Sequence, residues 1–389
     1  MPFGHLKSRV FAAAVALLRA SGSQSLAAYA VRKDNNFNLL RLLAASIVIL
    51  GHSYALTGRA GEEPLLRLVG KLDFGTLAVD IFFVISGFLV TKSFLNRRSV
   101  WGFVVARVLR IYPGLLVALL SNVLVVGLAF TTVPILAYLT SRDTWAYFAV
   151  NGMLLVEGVN LRQLLPGVFV SNPWGAAVNG SLWTLPYEVW IYIGLMGVGL
   201  LGILRRRWAV NAVVAVIVAL ATGLSLHLLT GPFFAAPALP LFLRFATFFG
   251  WGTFFYVNRS AIPINGMIAA ALLALTALVW RSPITLTLIF PFTLAYIIFW
   301  ASYVPGGFVR RYNLLGDYSY GVYIYAFPIQ QSLIALLRGI SPLALAALAL
   351  PVTLVFAVLS WHLIEKPALN LKKSLQDRAP ARSLGQQQA

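Results

Sequence analysis

Residues 39–52 read Leu39-Leu40-Arg41-Leu42-Leu43-Ala44-Ala45-Ser46-Ile47-Val48-Ile49-Leu50-Gly51-His52. This stretch is apolar over nearly its whole length. Such a run is typical of a helix inside a lipid bilayer. Arg41 and His52 interrupt it, and an Arg at the centre of a bilayer helix costs on the order of 2.5 to 3.5 kcal/mol. At about 100° per residue, the steps from Arg41 to His52 return to within roughly 20°, so both side chains share one face about 16 Å apart. This face is predicted to border a polar cavity.

The composition of the whole chain points to the same class of protein. Hydrophobic residues make up 60% of the 389 residues and charged residues 11%, with a mean hydropathy of +0.84. A soluble domain would carry more charge, so we predict an all-α polytopic membrane protein. The absence of cysteine excludes disulfides, thiolate metal ligands and a cysteine nucleophile.

Ten apolar runs are long enough to form transmembrane helices. They lie at about 39–58, 75–94, 111–131, 182–203, 208–229, 239–257, 264–280, 284–303, 317–338 and 343–364. With the N-terminus inside, the cytoplasmic segments hold twenty Lys and Arg residues and the outer segments seven. The positive-inside rule therefore places both termini in the cytoplasm. These loop clusters also explain the net charge of +19, so no nucleic acid partner is predicted.

A single integral domain, residues 37–367, is predicted between two cytoplasmic extensions. Residues 1–36 form the N-terminal extension, in which the short apolar run 10–18 suits an interfacial helix. Residues 368–389 are expected to be a disordered tail. The long connection at roughly 132–181 is expected to form an outer cap or a partly re-entrant helix.

With this orientation, three titratable residues lie toward the outer ends of their spans: His52, Asp80 and Glu188. A histidine titrates near neutral pH and can take a proton from a hydroxyl group. A nearby carboxylate can fix the tautomer of the ring and stabilise the imidazolium. We therefore predict that His52, Asp80 and Glu188 converge as catalytic residues. For each of them a purely structural role stays open as the alternative.

At the inner level, a donor site is predicted from Arg41, Arg107, Arg110 and Tyr320. Guanidinium groups bind phosphate through two parallel hydrogen bonds. Arg107 and Arg110 are three residues apart, so on a helix they project together toward the cytoplasmic mouth. A phosphorylated donor would bind there and extend a thin arm toward His52. Alternatively, the two arginines are ordinary positive-inside residues and Tyr320 belongs to an aromatic belt.

These motifs resemble those of the acyltransferase 3 family of integral membrane acyltransferases, and the likeness extends from Asn36 to Pro367. Six stretches carry it in order: FNLLRLLA at 37–44 continuing to GHS at 51–53, VDIFFVISGFL at 79–89, RVLRIYP at 107–113, GSLWTLPYE at 180–188, GDYSYGVY at 316–323 and EKP at 365–367. The resemblance implies transfer of an acyl group, usually acetyl from cytoplasmic acetyl-CoA, to a hydroxyl of a glycan or other acceptor. The family's signature Arg and His, separated by ten residues, correspond here to Arg41 and His52.

The resemblance further implies a stand-alone enzyme without a fused extracytoplasmic hydrolase-like domain, with acyl-CoA as co-substrate and no metal. The expected partners are a glycan or lipid-linked glycan acceptor, membrane lipid and proteins of polysaccharide assembly. The expected location is the inner membrane of a bacterial cell. Acceptor identity, the acyl group and the oligomeric state stay open.

Two questions of mechanism and function stay open from the sequence. The acceptor hydroxyl attacks the thioester directly with His52 as general base, or an acyl-enzyme forms first on His52, Ser53 or Ser86. The same polar groups would also suit a transporter or flippase for an anionic lipid or glycan. A non-catalytic scaffold in polysaccharide assembly is the third alternative.

Overall fold

A computed structural model describes residues 24–30, 34–96, 99–154, 163–231, 234–282 and 284–377. Helices dominate these ranges, and the strands within them are one antiparallel pair of two residues each, β1 Gln24–Ser25 and β2 Pro263–Ile264. The predicted all-α fold is confirmed.

The α-helices of these ranges, in chain order, are α1 Leu26–Ala30, α2 Phe37–Leu56, α3 Pro64–Val69, α4 Phe74–Leu95, α5 Val100–Ser121, α6 Leu128–Phe130, α7 Ile135–Thr140, α8 Arg142–Met153, α9 Leu185–Leu200, α10 Arg207–Ser225, α11 Leu239–Val257, α12 Gly266–Leu278, α13 Phe290–Tyr303, α14 Ser319–Leu336, α15 Pro342–Ser360 and α16 Lys366–Asp377. Shorter 3₁₀ turns occur at Ala60–Glu62, Gly180–Thr184, Ile203–Arg205 and Gly307–Leu314, and π-helical turns at Asn122–Gly127, Thr285–Ile289 and Trp361–Glu365.

Local sequence explains where several helices begin. The side chains of Asp73, Ser99 and Ser341 each accept a hydrogen bond from a backbone N–H three residues later, at 2.8, 3.1 and 3.3 Å. Such caps satisfy N–H groups that have no partner inside the helix. The starts of α4, α5 and α15 are therefore fixed by single polar residues next to apolar runs.

Six helices of the described ranges are long and apolar enough to cross a membrane. They are Phe37–Leu56, Phe74–Leu95, Val100–Phe130, Arg207–Ser225, Thr285–Tyr303 and Pro342–Leu371. The polytopic membrane class is thereby confirmed. The other four predicted runs also contain helices, α9, α11, α12 and α14, which are shorter or less apolar. The number of ten spans and the cytoplasmic termini stay predictions.

The backbones of α4 and α11 touch each other at two glycines. A Cβ on Gly87 would lie 2.0 Å from the carbonyl oxygen of Phe249, and a Cβ on Gly252 would lie 2.2 Å from that of Val84. Lipid tails are as apolar as leucine, so membrane helices associate through such close packing of small residues. This contact fixes α4 against α11.

The outer segment that precedes α9 is held against α14 by buried amide side chains. Asn172 donates to the Oε1 of Gln331 at 2.8 Å, and Gln331 donates to the carbonyl of Ala177 at 2.7 Å. Asn179 donates to the carbonyl of Ile324 at 2.9 Å. Each bond satisfies a polar group that would be costly if buried alone. The segment therefore packs along α14 between Ile324 and Gln331.

The two predicted extensions lie largely beyond the described residues. The expected interfacial helix at 10–18 is outside them, and so is the chain after Asp377. Residues 368–377 were expected in a disordered tail, but α16 continues through them to Asp377. The disordered cytoplasmic tail stays a prediction.

Replacing Gly87 by Ala is expected to lower the free energy of unfolding by about 1 to 3 kcal/mol, because the added Cβ meets backbone atoms that cannot rotate away. The measurement is thermal unfolding in detergent, followed by tryptophan fluorescence. Gly194→Ala in α9 is the matched control, since a Cβ there meets nothing within 4 Å. Equal melting temperatures for the two variants would contradict the close contact.

Candidate active site

A narrow cavity lies between α2, α4, α5, α9 and α14. Its free volume is about 60 Å³, room for about two water molecules. Aromatic and aliphatic side chains form part of its wall, among them Phe82 and Phe83. The polar side chains on its wall are Arg41, Ser86, Arg110, Thr184, Glu188, Ser319, Tyr320 and Tyr323. Four of the seven predicted site residues are thus brought together.

A chain of ion pairs forms the inner side of this cavity. Arg41 and Arg110 both bind the Oδ2 of Asp317, the latter at 2.7 Å. Arg110 also reaches the Oε2 of Glu365 at 3.3 Å. Ser319 donates to the other oxygen of Asp317 at 2.5 Å. The two cations and two anions therefore neutralise each other within the protein.

The ring of Tyr320, not its hydroxyl, contacts this chain of ion pairs. The guanidinium of Arg110 is 5.5 Å from the centre of the Tyr320 ring, which is within range of a cation–π interaction. The hydroxyl of Tyr320 donates to the carbonyl of Ile111 at 2.8 Å. Tyr320 thus supplies a flat wall of the cavity.

Glu188 and Arg107 are linked through one tyrosine. Tyr192, one turn after Glu188 on α9, donates a hydrogen bond to its carboxylate. The guanidinium of Arg107 lies 5.6 Å from the centre of the Tyr192 ring. Among the described residues the buried Nε of Arg107 has no hydrogen-bond partner. The Nε of Arg107 is therefore available as a hydrogen-bond donor, whereas both Nη groups of Arg110 already bind carboxylates.

Asp80 pairs with a residue that the sequence analysis did not single out. Its oxygens accept from the Nε and Nη2 of Arg244 at 3.1 and 2.6 Å, and Asp80 itself is fully buried. Arg244 also lies 5.5 Å from the ring of Phe248. The signal was available, because Arg244 is the lone charged residue of the run 239–257 and such a charge needs a partner.

No hydrogen bond among the described residues joins His52 to Asp80 or Glu188. The His52 ring packs edge-on against Phe327 with 5.4 Å between centroids, and its buried Nδ1 has no hydrogen-bond partner in the described part of the chain. Since Asp80 binds Arg244 and Glu188 binds Tyr192, the expected convergence of His52, Asp80 and Glu188 is not found.

The carboxylate that helix packing brings toward His52 is that of Asp73, which precedes α4. Asp73 caps α4 through Thr76, at 2.8 Å to the backbone N–H and 2.7 Å to the hydroxyl. Next to it, α2 crosses α4 so closely that a Cβ on Gly51 would lie 2.9 Å from the nitrogen of Gly75. No sequence signal points to Asp73, because it precedes its helix and is charged like many loop residues.

Of the alternative nucleophiles, Ser53 already has two hydrogen bonds. It donates to the carbonyl of Ile49 at 2.8 Å and accepts from Gln330 at 2.7 Å. Ser86 lies on the wall of the cavity. An acyl-enzyme on serine would therefore favour Ser86.

The sequence pattern of the acyltransferase domain family, acyltransferase 3, matches residues 34–362, which include every residue of the cavity wall. The chain belongs to this family. As an acyltransferase 3 member, the protein is a membrane O-acyltransferase, which confirms the expected enzyme class.

Two related proteins extend over nearly the same length as this acyltransferase. An O-acetyl transferase of Shigella phage Sf6 is 32% identical over 343 residues, covering 86% of this chain and 96% of the relative. Nodulation protein 10 of Rhizobium leguminosarum bv. viciae is 31% identical over 369 residues, covering 88% and 95%. No solved structure matches the chain significantly.

Asp317→Asn is expected to lower the free energy of unfolding by about 3 to 5 kcal/mol, because it leaves two buried guanidinium groups with half their compensation. Thermal unfolding in detergent measures the effect. Asp34→Asn is the control: Asp34 also pairs with an arginine, Arg310, but its side chain is 56% exposed, so its loss costs at most about 1 kcal/mol. The same small shift for both variants would contradict a buried ion-pair chain.

Proposed function

We propose that this enzyme transfers an acyl group, acetyl foremost, from cytoplasmic acyl-CoA to a hydroxyl of a glycan on the outer side of the membrane. The observation that carries the proposal is the cavity beside α2, which has Arg41 on its wall while His52 lies farther along the same helix. The name of the phage relative, O-acetyl transferase, supports acetyl as the group and an oxygen as its acceptor.

For the donor, Arg107 is the better phosphate ligand of the two predicted arginines. Arg110 is already bound to Asp317 and Glu365, so a phosphate there would have to displace a carboxylate. Arg107 has an unused buried Nε and is steadied by the Tyr192 ring. We therefore assign the phosphates of acyl-CoA to Arg107 at the mouth. Arg41, Arg110 and Tyr320 then border the path of the pantetheine arm.

The chemical step needs a general base and a negative charge that stabilises this base once it is protonated. His52 takes the proton of the acceptor hydroxyl while the oxygen attacks the thioester carbon. The new C–O bond forms, the C–S bond breaks, and the proton of the imidazolium passes to the leaving thiolate. The carboxylate of Asp73, beside the crossing of α2 and α4, supplies the negative charge that stabilises the imidazolium between these two transfers. Since the free volume is about 60 Å³, the cavity must widen before the thioester reaches His52.

The acceptor proposal rests on Trp183, the partly exposed member of an aromatic group whose other members, Tyr187 and Phe245, are buried. Trp183 packs edge-on with Tyr187 at 6.0 Å and tilted against Phe245 at 5.7 Å. Flat aromatic surfaces of this kind suit sugar rings, which combine apolar faces with polar edges. We place the enzyme in a bacterial inner membrane, together with proteins that assemble polysaccharide. Family membership favours this enzymatic function over a transporter, flippase or scaffold.

His52→Ala is expected to lower the rate of CoA release from acetyl-CoA by about 100-fold or more, the usual contribution of a general base. The purified chain has no cysteine, so a thiol reagent detects the released CoA without background. His227→Asn is the control, because His227 is exposed and has a positive φ of 56° that Asn tolerates. A folded His52→Ala protein with full activity would rule out His52 as the base.

Arg107→Gln is expected to weaken CoA binding at least tenfold, because it removes a charged phosphate ligand without breaking an ion pair of the cavity. Isothermal titration with CoA measures the dissociation constant. Arg205→Gln is the control, since Arg205 is an exposed arginine on an inner loop of the predicted topology. If both variants bind CoA like the unmodified protein, Arg107 is an ordinary topology charge and the donor assignment fails.

A further inference from the structure

A second cleft lies at the other end of α2 from Arg41, outside the cavity already described. It runs between the end of α2, the loop that leads into α3, and the start of α15, and its volume is about 570 Å³. This size is typical of sites for small organic ligands. In the predicted orientation the cleft opens on the outer side of the membrane. Its charged wall consists of Arg59, Glu62 and Arg67.

The walls of this outer cleft are held rigidly by buried contacts. Glu63, only 2% exposed, accepts from the backbone N–H groups of Leu66 at 2.6 Å and Phe74 at 3.3 Å. Trp280 donates to the carbonyl of Val69 at 2.7 Å. These bonds tie both ends of α3 to the helices around it. The cleft is therefore a built feature of the fold.

The positive charge of the outer cleft runs against the charge bias of the chain. Only seven Lys and Arg residues fall in the predicted outer segments, yet Arg59, Arg67 and Lys71 lie together in this loop. Glu62, Glu63 and Asp73 lie in the same loop and balance these three cations, so the loop as a whole is neutral. The charged residues that line the cleft itself are Arg59, Glu62 and Arg67.

Local bonds hold both guanidinium groups in place. Arg59 binds Glu62 through Nη2 at 2.5 Å, and Arg67 donates from Nε to the carbonyl of Gly61 at 3.2 Å. The hydrogen bond from Arg59 lowers the pKa of the Glu62 carboxyl, so it is ionised and cancels one of the two positive charges. The cleft keeps a net charge of +1, and the positive end of α15 adds a field of the same sign.

Two apolar side chains border the same cleft. Leu68 is 82% exposed and Leu343 is 63% exposed. Leu343 lies in the first turn of α15, which is long and apolar enough to cross a membrane, and Leu68 lies on the short α3 across the cleft. The cleft thus joins a positive wall to a lipid-facing edge, which matches a phosphate attached to a lipid.

We propose that the outer cleft binds the phosphate of a lipid-linked acceptor, with the lipid chain against Leu68 and Leu343. The inference rests on the proposed transfer to a glycan and names the form in which the glycan arrives. Tyr54, on the wall of the cleft, lies two residues after His52 on α2. The two side chains differ by about 200° in direction but only about 3 Å in height. The sugar, rather than the phosphate, therefore extends around the helix end to His52.

The test uses the full chain in phosphatidylcholine nanodiscs with farnesyl phosphate as the probe. Binding is measured by microscale thermophoresis. Farnesol, inorganic phosphate and phosphatidylglycerol are measured separately as control ligands. The expected result is that farnesyl phosphate binds at least tenfold more tightly than each of the other three. Binding should also weaken with added salt, because the charges of the loop are exposed.

The variant Arg59→Gln/Arg67→Gln is expected to lose at least tenfold in affinity for farnesyl phosphate, whereas Arg281→Gln, an exposed outer arginine away from the cleft, binds like the unmodified chain. If the double variant fails to fold, Glu62→Gln still tests the charge of the cleft and is expected to tighten binding a few-fold. Unchanged affinity in the folded variants overturns the proposal. Equal binding of farnesol, or of phosphatidylglycerol, also overturns it by assigning the cleft to lipid chains or to bulk headgroups.

Release of CoA from acetyl-CoA by the unmodified chain is measured on the same preparation. The binding assay contains no thioester, so absence of CoA release would contradict the proposed function alone. Failure of farnesyl phosphate to bind, with CoA release intact, would contradict the cleft assignment alone.

Discussion

The buried carboxylate of Asp317 holds several helices together through its ion pairs. A charge in an interior of low dielectric constant is tolerated only when it is paired, and here one oxygen serves both Arg41 and Arg110. Because Arg110 also reaches Glu365, helices α2 and α5, the start of α14 and the turn after α15 must meet at one point. Moving any of these elements away would leave an ion unpaired in apolar surroundings. The same four charges therefore specify both the helix arrangement and the wall of the cavity.

The packing of α4 against α11 is fixed by a second ion pair and a backbone contact that act together. Asp80 and Gly87 are seven residues apart on α4, two helical turns, so they lie on the same face. One binds Arg244 and the other touches the backbone at Phe249, both on α11. A slip of α4 by one turn would move Asp80 by about 5.4 Å and break both contacts at once. Asp80 is therefore engaged in setting the helix register, which explains why it does not reach His52.

The sequence predicted which segments are helical and which residues line the cavity better than it predicted which side chains pair with each other. Every predicted apolar run contains a helix. Length and hydropathy are local properties of a segment, and they determine whether it can cross a bilayer as a helix. Four of the polar residues predicted in or beside those runs line the cavity, namely Arg41, Arg110, Glu188 and Tyr320, and their roles stay predictions. Pairing is not local. Arg244 could have been recognised as a charge that needs a carboxylate, but only the packing of α4 on α11 selects Asp80 over Glu188. Asp73 could not be recognised at all, since nothing in a loop aspartate predicts that its helix start crosses beside His52.

The neutrality of the ion-pair chain has a consequence for how an acyl-CoA would be sorted along the proposed path. Arg41 and Arg110 share two carboxylates, so the cavity offers a multiply charged phosphate group no net positive charge. Dehydrating such a group to enter the cavity would cost several kcal/mol without compensation. The pantetheine arm is uncharged, and its amides need only hydrogen bonds, which side chains such as Ser86 and Glu188 on the wall can supply. In the proposed binding mode the nucleotide therefore stays at the mouth, where the Nε of Arg107 has no hydrogen-bond partner among the described residues, and only the thioester enters. On this proposal the paired arginines exclude charged groups from the cavity, whereas unpaired arginines would attract the phosphates into it.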